Sequence, residues 1–261
     1  MELPNRQSVP VHPTYTNGPF LKKSHKALPS NYILTKTHCS YQIIDNAAYF
    51  AQRCVSSIRV IPTKTKRGRG ASVASFKLPK TERLYYNISI VSRVVHLMRN
   101  PFDNVIARFN NFNKKNETHR MWLYNHPEQH VANFREWCAL GDRMMNETEQ
   151  LLLRDKGVPK SVPCASEIFR YVKWHNNAFE LTEELGLLVQ VLYYEDFGRD
   201  YEGILEGLLD FLGLERVGTP LAFATHEYIG FFSEKEKVLA ASWIKELASE
   251  MTWEHLKAYS L

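Results

Sequence analysis

The chain has 261 residues, of which 44% are hydrophobic and 23% are charged, with a net charge of +5. These values are ordinary for a globular protein with one sizeable core, and no shift in composition calls for two domains. No apolar run approaches the length of a transmembrane helix, and the N-terminus lacks the apolar core of a signal peptide. We therefore predict an irregular, proline-rich arm over residues 1–30 and a single domain over residues 31–261.

The first predicted element is a short apolar strand with the sequence YILTKTH, Tyr32–His38, which turns polar at its end. A single histidine after a strand is usually structural or solvated, so this segment alone indicates no chemistry. Lys36 and His38 lie on the same face of the strand, because side chains alternate with a period of two.

A basic tract follows from Arg59 to Arg83, with eight basic residues against one acid, Glu82. Its core near residues 62–70 reads PTKTKRGRG, and its glycines and proline predict a mobile loop. We favour a solvated loop over the alternative, a basic lip that attracts an anionic donor or an acidic glycan. Charge alone would permit nucleic acid binding, but no aromatic interleaving or known module indicates a specific nucleic acid partner.

The stretch Arg93–Phe109, RVVHLMRNPFDNVIARF, predicts a buried strand that runs directly into a helix. Asn100 is suited to cap this helix, and Pro101 to its first position. Such a junction leaves free backbone N–H groups where anions bind in open α/β sheets, and Arg99 adds a permanent charge suited to phosphate. The plainer interpretation is a strand–helix unit whose arginine pairs with a nearby carboxylate.

A second buried strand is predicted over Val189–Tyr194, ended by Glu195 and Asp196. Asp200 then caps an amphipathic helix that Gly213 ends in a left-handed conformation. The remaining helices supply scaffold, and Tyr171 and Trp174 on one of them either line a cleft or, as is more usual for aromatic residues, belong to the core. The apolar faces of these helices are marked by Phe134, Trp137, Leu140, Met144, Ile168, Val172 and Phe179. Ser233 and Glu236 mark a capping box.

The four cysteines, Cys39, Cys54, Cys138 and Cys164, have no zinc-ligand spacing. Their even number permits disulfides without requiring them. Glycosylation sequons at Asn87, Asn116 and Asn146 shift the expected compartment slightly towards the secretory lumen. We favour the Golgi lumen, with the cytoplasm as the alternative.

Three motifs, in this order, resemble the sulfotransferase family. Lys36–His38 matches the family's K-T-H at the end of a strand, and Arg99–Pro101 matches its RNP-type loop. Tyr194–Asp196, followed by a helix that ends in FLG at Phe211–Gly213, matches its YED signature. The resemblance covers the chain from about residue 30 to its end. It implies an α/β fold of three layers, with a central, mostly parallel sheet flanked by helices.

The resemblance implies transfer of a sulfuryl group from PAPS (3′-phosphoadenosine 5′-phosphosulfate) to a hydroxyl acceptor, which we expect to be a carbohydrate. His38 would be the base that activates the hydroxyl, and Lys36 would contact the sulfuryl oxygens or the acceptor. Arg99 and Asn100 would hold the 3′-phosphate of the donor or of its product PAP, and Tyr194 would lie near the adenine. No metal is expected, because the transfer rests on positioned cations and amides.

The chain departs from the family's pattern in the donor site. The lysine-containing 5′-phosphosulfate loop should precede the K-T-H strand, but residues 1–30 contain no matching strand, loop and helix. Ala107 stands where the family often has a serine, and no R-K-G element occurs near the C-terminus. Three interpretations stay open: a truncated product, a divergent enzyme, or a non-catalytic relative that binds a nucleotide or a glycan. A P-loop kinase-like protein is disfavoured, because the chain has no G-x-x-x-x-G-K-[ST].

Overall fold

The structure is a computed structural model that describes residues 57–60, 82–85, 91–113, 127–145, 149–151, 161–216, 223 and 228–259, the first two ranges as backbone alone. Several predicted features lie outside the described residues. These are the arm over residues 1–30, the strand with Lys36 and His38, and the basic loop near residues 62–70.

The chain divides into two compact units, Met1–Val91 and Ser92–Leu261. In the first unit, strands β1 (Ser57–Val60) and β2 (Glu82–Tyr85) pair in antiparallel register. The two ends of the basic tract, Arg59 and Arg83, lie in these strands. The sequence patterns did not predict that the strands pair. The single domain over residues 31–261 stays a prediction.

The second unit contains two parallel strands, β3 (Arg93–Met98) and β4 (Leu188–Tyr193). They are in register from end to end, and the last pair is Met98 with Tyr193. Both strands are short runs rich in valine and leucine, which favours extended structure. Both predicted strands are confirmed, but they are not fully buried, since Leu97 is 53% exposed and most other side chains of the two strands are half-buried. The 3₁₀ helix Tyr194–Gly198 begins where the second strand was expected to end.

Helix α1 (Pro101–Asn113) follows β3 almost directly. The Oδ1 of Asn100 accepts a hydrogen bond from the Phe102 N–H at 2.9 Å, and a proline stands at the first helical position, where no N–H is needed. The predicted junction and cap are confirmed. The core-facing residues of α1 recur at helical spacing and are all buried: Phe102, Val105, Ile106 and Phe109.

Five further α-helices are described in this unit: α2 (Pro127–Arg143), α3 (Ala165–Glu184), α4 (Tyr201–Leu212), α5 (Glu234–Leu247) and α6 (Glu250–Leu256). The predicted cap of α4 is present, because the Asp200 side chain accepts from the Gly203 N–H. Gly213 ends this helix with a left-handed φ of 67°. Ser233 and Glu236 form the predicted capping box of α5.

Helices lie on both faces of the strand pair. On one face, His96 of β3 hydrogen bonds with His175 of α3. On the other face, Gln190 of β4 lies beside Gly207 of α4. The described part of this unit is thus mostly helical with a small parallel sheet. It has α/β character, whereas a three-layer fold around a larger sheet stays a prediction, because the described parallel sheet has two strands.

A disulfide joins Cys138 of α2 to Cys164, the residue before α3. Both cysteines are buried and lie 26 residues apart in the chain. Cys164 has a φ of 59°, in the left-handed region that residues other than glycine seldom adopt. The structure settles a pairing that the sequence left open, while Cys39 and Cys54 lie outside the described residues.

Candidate anion-binding site at the ends of the parallel strands

The carboxyl ends of β3 and β4 bring Arg99 next to Tyr194. Because Met98 and Tyr193 are the last register pair, the residues that follow them leave the sheet at the same edge. The Cζ atom of Arg99 lies 4.3 Å from the ring centroid of Tyr194, within the range of a cation–π interaction. This edge is where ligands bind in open α/β sheets.

A second tyrosine ring flanks the same guanidinium. The ring centroid of Tyr228 lies 5.4 Å from the Arg99 Cζ. The ring of Tyr194 also meets that of Phe223, with 5.3 Å between centroids. Tyr228 and Phe223 could not be predicted from the sequence, because both lie outside helices and strands, where no periodic pattern indicates which rings meet.

The peptide group between Arg99 and Asn100 is hydrogen bonded on both sides. The hydroxyl of Tyr171, on α3, donates to the Arg99 carbonyl oxygen at 2.6 Å. The Asn100 N–H donates to Oε1 of Glu195 at 2.9 Å. Since the C=O and the N–H belong to one planar unit, side chains from two separate elements fix the orientation of that plane.

The first N–H groups of α1 all have partners within the protein. Phe102 and Asp103 donate to Oδ1 of Asn100 at 2.9 and 3.4 Å, and Pro101 has no N–H. The next N–H in the helix donates to the Asn100 carbonyl oxygen at 2.8 Å. The expectation of free backbone N–H groups at this junction is therefore wrong. An anion bound here would depend on the Arg99 side chain and the helix dipole.

Glu195 brings a carboxylate to the N-terminal end of α1, where the helix dipole favours negative charge. Its other oxygen, Oε2, is buried, and the carboxylate interacts with the buried Tyr259 hydroxyl. Burial, reinforced by Tyr171 and Glu195, raises the pKa of Tyr259, so this hydroxyl is neutral at physiological pH. Asp196, by contrast, pairs with exposed Arg199 at 3.4 Å.

Three histidines cluster on the face of the sheet that α3 covers. His96 Nε2 and His175 Nδ1 lie 2.8 Å apart, and His255 Nδ1 lies 2.8 Å from the Tyr193 hydroxyl. The Phe179 ring contacts two of them, at 4.3 Å from His96 and 4.9 Å from His255. Burial lowers the pKa of His96 to about 4 and holds that of His175 well below its ordinary value. We interpret the cluster as a neutral, structural part of the core.

Tyr171 and Trp174 have different environments. Tyr171 is buried, and burial raises the pKa of its hydroxyl. It belongs to the core, as the plainer interpretation of the sequence had it, and it contacts the site through the Arg99 backbone. Trp174 is half-buried and meets the His96 ring edge-on, with 5.3 Å between centroids.

The structure thus brings together three of the predicted site residues, Arg99, Asn100 and Tyr194, whereas Lys36 and His38 lie outside the described residues. Within the described ranges, no three His, Cys, Asp or Glu side chains are grouped to hold a metal ion. None of the described helices is both long and apolar enough to cross a bilayer. Comparison of the chain with protein-family models, curated proteins and solved structures finds no match.

Proposed function

We propose that the protein transfers a sulfuryl group from PAPS to a hydroxyl acceptor, and that the acceptor is a carbohydrate. One observation carries the proposal. The arginine of the RNP-like loop, Arg99, meets the tyrosine of the YED-like segment, Tyr194, at the carboxyl edge of two parallel strands. Two motifs that are far apart in sequence therefore meet where α/β sheets bind phosphorylated ligands.

In the proposed complex, Arg99 binds the 3′-phosphate of PAPS and Tyr194 lies against the adenine. A guanidinium offers phosphate a planar pair of donors. Contact with the tyrosine ring restrains the arginine before the ligand arrives, which reduces the entropy lost on binding. Because Oδ1 of Asn100 accepts the cap hydrogen bonds, its NH₂ group is the part that would donate to the ligand.

His38 accepts the proton of the acceptor hydroxyl while the acceptor oxygen forms its bond to sulfur. On the opposite side of the sulfur, the bond to the 5′-phosphate oxygen breaks, and PAP leaves with the electron pair. Lys36 stabilises the charge on the sulfuryl oxygens. The proposal includes a three-layer fold with a central, mostly parallel sheet flanked by helices.

The secretory lumen, with the Golgi as the favoured compartment, is part of the same proposal. The disulfide between Cys138 and Cys164 supports it, because disulfides persist in oxidising compartments and are rare in the cytoplasm. Reduced cysteines in the protein purified from its native cells would favour the cytoplasm instead.

A sulfotransferase-like protein that binds nucleotide or glycan without turnover is the second candidate. Two features favour it. The backbone N–H groups at the start of α1 are already bonded within the protein, so they are not available to the donor phosphate. Ala107 also supplies no hydroxyl as a phosphate ligand.

Labelled PAPS with a panel of sugar and phenol acceptors separates the two candidates. Transfer to a sugar supports the first. Absence of transfer, together with a rise in the thermal unfolding temperature on addition of PAP, supports the second. If neither transfer nor stabilisation by PAP is seen, both are wrong.

A further inference from the structure

We propose that Tyr171 and Glu195 are positioning residues that hold Arg99 for the 3′-phosphate of the donor, an inference that rests on the proposed function. They hydrogen bond to opposite sides of the Arg99–Asn100 peptide group, at 2.6 and 2.9 Å. We call this pair of hydrogen bonds the peptide clamp. Neither residue needs to touch the ligand for the clamp to act.

The position of the Arg99 guanidinium depends on this peptide group. The two hydrogen bonds anchor the Arg99 carbonyl oxygen and the Asn100 N–H to different elements, since Tyr171 belongs to α3 and Glu195 follows β4. Loss of either bond would let the backbone at the junction of β3 and α1 shift, and the Arg99 side chain would shift with it relative to the Tyr194 ring.

The surroundings of the two side chains suit this role. Tyr171 is 7% exposed, so its hydroxyl has little water to replace the Arg99 carbonyl oxygen as a partner. Glu195 follows Tyr194 in the chain, so one short 3₁₀ helix supports both the guanidinium and the peptide group of Arg99. A charged acceptor also makes the hydrogen bond to the Asn100 N–H stronger than a neutral one would.

The clamp should affect one part of the ligand. If it positions Arg99, it contributes to binding of the 3′-phosphate and not to binding of the adenosine or the 5′-phosphate. PAP and adenosine 5′-monophosphate differ by that 3′-phosphate. A clamp variant should therefore lose affinity for PAP and keep its affinity for adenosine 5′-monophosphate, whereas general damage to the site would weaken both.

The test uses calorimetric titration of the full chain with both nucleotides. We expect Tyr171→Phe and Glu195→Ala to weaken PAP binding by about 10- to 100-fold, the range for loss of a buried or charge-assisted hydrogen bond. Glu195→Gln keeps an oxygen acceptor and should recover most of the affinity. Tyr193→Phe and Asp196→Asn are the controls, because each changes a neighbouring group of the same type that makes no hydrogen bond to the clamped peptide in the described structure.

The effect should also require Arg99. In an Arg99→Ala background, Tyr171→Phe should change PAP affinity by less than about twofold, because the group that the clamp positions is gone. Three results would overturn the inference: equal losses for the two nucleotides, the same Tyr171→Phe effect without Arg99, or a Glu195→Gln variant as weak as Glu195→Ala. Unfolding temperatures of all variants show whether the folded state is retained.

A ligand-free measurement keeps the inference separate from the proposed function. In the clamp, the Asn100 amide hydrogen should exchange slowly, and it should exchange at least tenfold faster in Glu195→Ala than in Asp196→Asn. If the wild type does not bind PAP, the proposed function fails and so does a phosphate role for the clamp. Fast exchange of the Asn100 amide in a wild type that does bind PAP would overturn the clamp alone.

Discussion

His96 Nε2 lies 2.8 Å from His175 Nδ1, and the two side chains are only 3% and 4% exposed. In this pair one ring nitrogen donates and the other accepts, so both rings can be neutral. Burial lowers both pKa values, and the positive charge of a protonated His255 would lower them further. Protonation of either ring would place a charge in the core, and the hydrogen bond between the two rings supplies no carboxylate to compensate it.

We expect the free energy of unfolding to fall as the pH is lowered from about 6.5 towards 4. The pKa of His96 is about 4 in the folded state and 6.5 in a free side chain. Within this window the unfolded chain therefore binds more protons, and stability rises with pH. The shift corresponds to about 3 kcal/mol for His96. Urea unfolding at successive pH values measures the effect.

A matched pair of variants assigns that pH dependence. His96→Gln should have a shallower slope of stability against pH than the wild type. His130→Gln, which changes a half-buried histidine of α2, should keep most of the slope. A wild-type stability that is constant between about pH 7 and 5 would contradict the prediction.

The ion pair between Arg135 and Glu236 should stabilise the contact between α2 and α5. The guanidinium donates to both carboxylate oxygens, at 2.7 and 2.9 Å. Burial opposes ionisation of Glu236, but the hydrogen bonds from Arg135 and Ser233 outweigh it and lower its pKa. This contribution should be present above the ordinary carboxyl pKa and be lost as the pH falls through the lowered value. A double-mutant cycle with alanine should give a coupling of about 1 kcal/mol.

The exposed pair Glu234–Lys237 on α5 is the control for that cycle. Its oxygen and nitrogen lie 2.8 Å apart, but the two side chains are 86% and 42% exposed. Solvent screens such a pair, so its coupling should be close to zero. Equal coupling energies for the exposed pair and for Arg135–Glu236 would show that the bidentate geometry adds nothing.

Removal of the Cys138–Cys164 disulfide should destabilise the protein by about 3 kcal/mol. The bond restricts the conformations of the unfolded chain, and its removal raises the entropy of the unfolded state. The variant Cys138→Ala/Cys164→Ala tests this by urea unfolding. Adding a reductant should destabilise the wild type more than the variant. If the reductant destabilises both proteins equally, the effect does not arise from this bond.

Local signals explain what the sequence could predict. Asn100 and Pro101 form a cap and first turn that act within four residues, and Gly213 ends its helix by its own backbone freedom. The strands β3 and β4 were recognisable from their apolar runs. Their parallel pairing and the coarse α/β character agree with the sequence prediction.

Tertiary contacts explain what the sequence could not predict. The junction has bonded N–H groups for a local reason and a tertiary one: the Asn100 cap accepts from Phe102 and Asp103, and Glu195, 95 residues further on, accepts from the Asn100 N–H. The hydrogen bond from Tyr171 to the Arg99 carbonyl oxygen could not be predicted either. The spacing of apolar residues along a helix shows that a tyrosine faces the core, but it does not show which group its hydroxyl contacts. His96 sat within an apolar run, and only the structure pairs it with His175.

His38→Ala should abolish sulfuryl transfer while leaving PAP affinity nearly unchanged. The proposed base removes the acceptor proton and does not hold the donor phosphates. Transfer rates and PAP titration on the same preparation test both parts. His130→Ala is the control for loss of a histidine outside the site, and it should keep the wild-type rate. An unchanged rate in His38→Ala would remove this histidine from the mechanism.

Arg99→Ala should weaken PAP binding by about 2–3 kcal/mol, or roughly 30- to 150-fold, the scale of a lost charge-assisted contact. Arg93→Ala is the matched control. Arg93 stands at the other end of β3, is exposed, and donates to the Leu212 carbonyl oxygen. Arg93→Ala removes the same charge at the opposite end of β3 from Arg99, so an equal loss in both variants would indicate general electrostatic attraction instead of a specific site.

Arg99→Lys distinguishes charge from geometry at this position. Lysine keeps the positive charge but lacks the planar donors that match a phosphate and the flat face that stacks on Tyr194. We therefore expect a PAP affinity between those of the wild type and Arg99→Ala, with most of the loss retained. Full recovery by lysine would mean that the site needs only a charge at the edge of the sheet. In that case Tyr194 and the orientation of the Arg99 peptide group would have no part in recognising the phosphate.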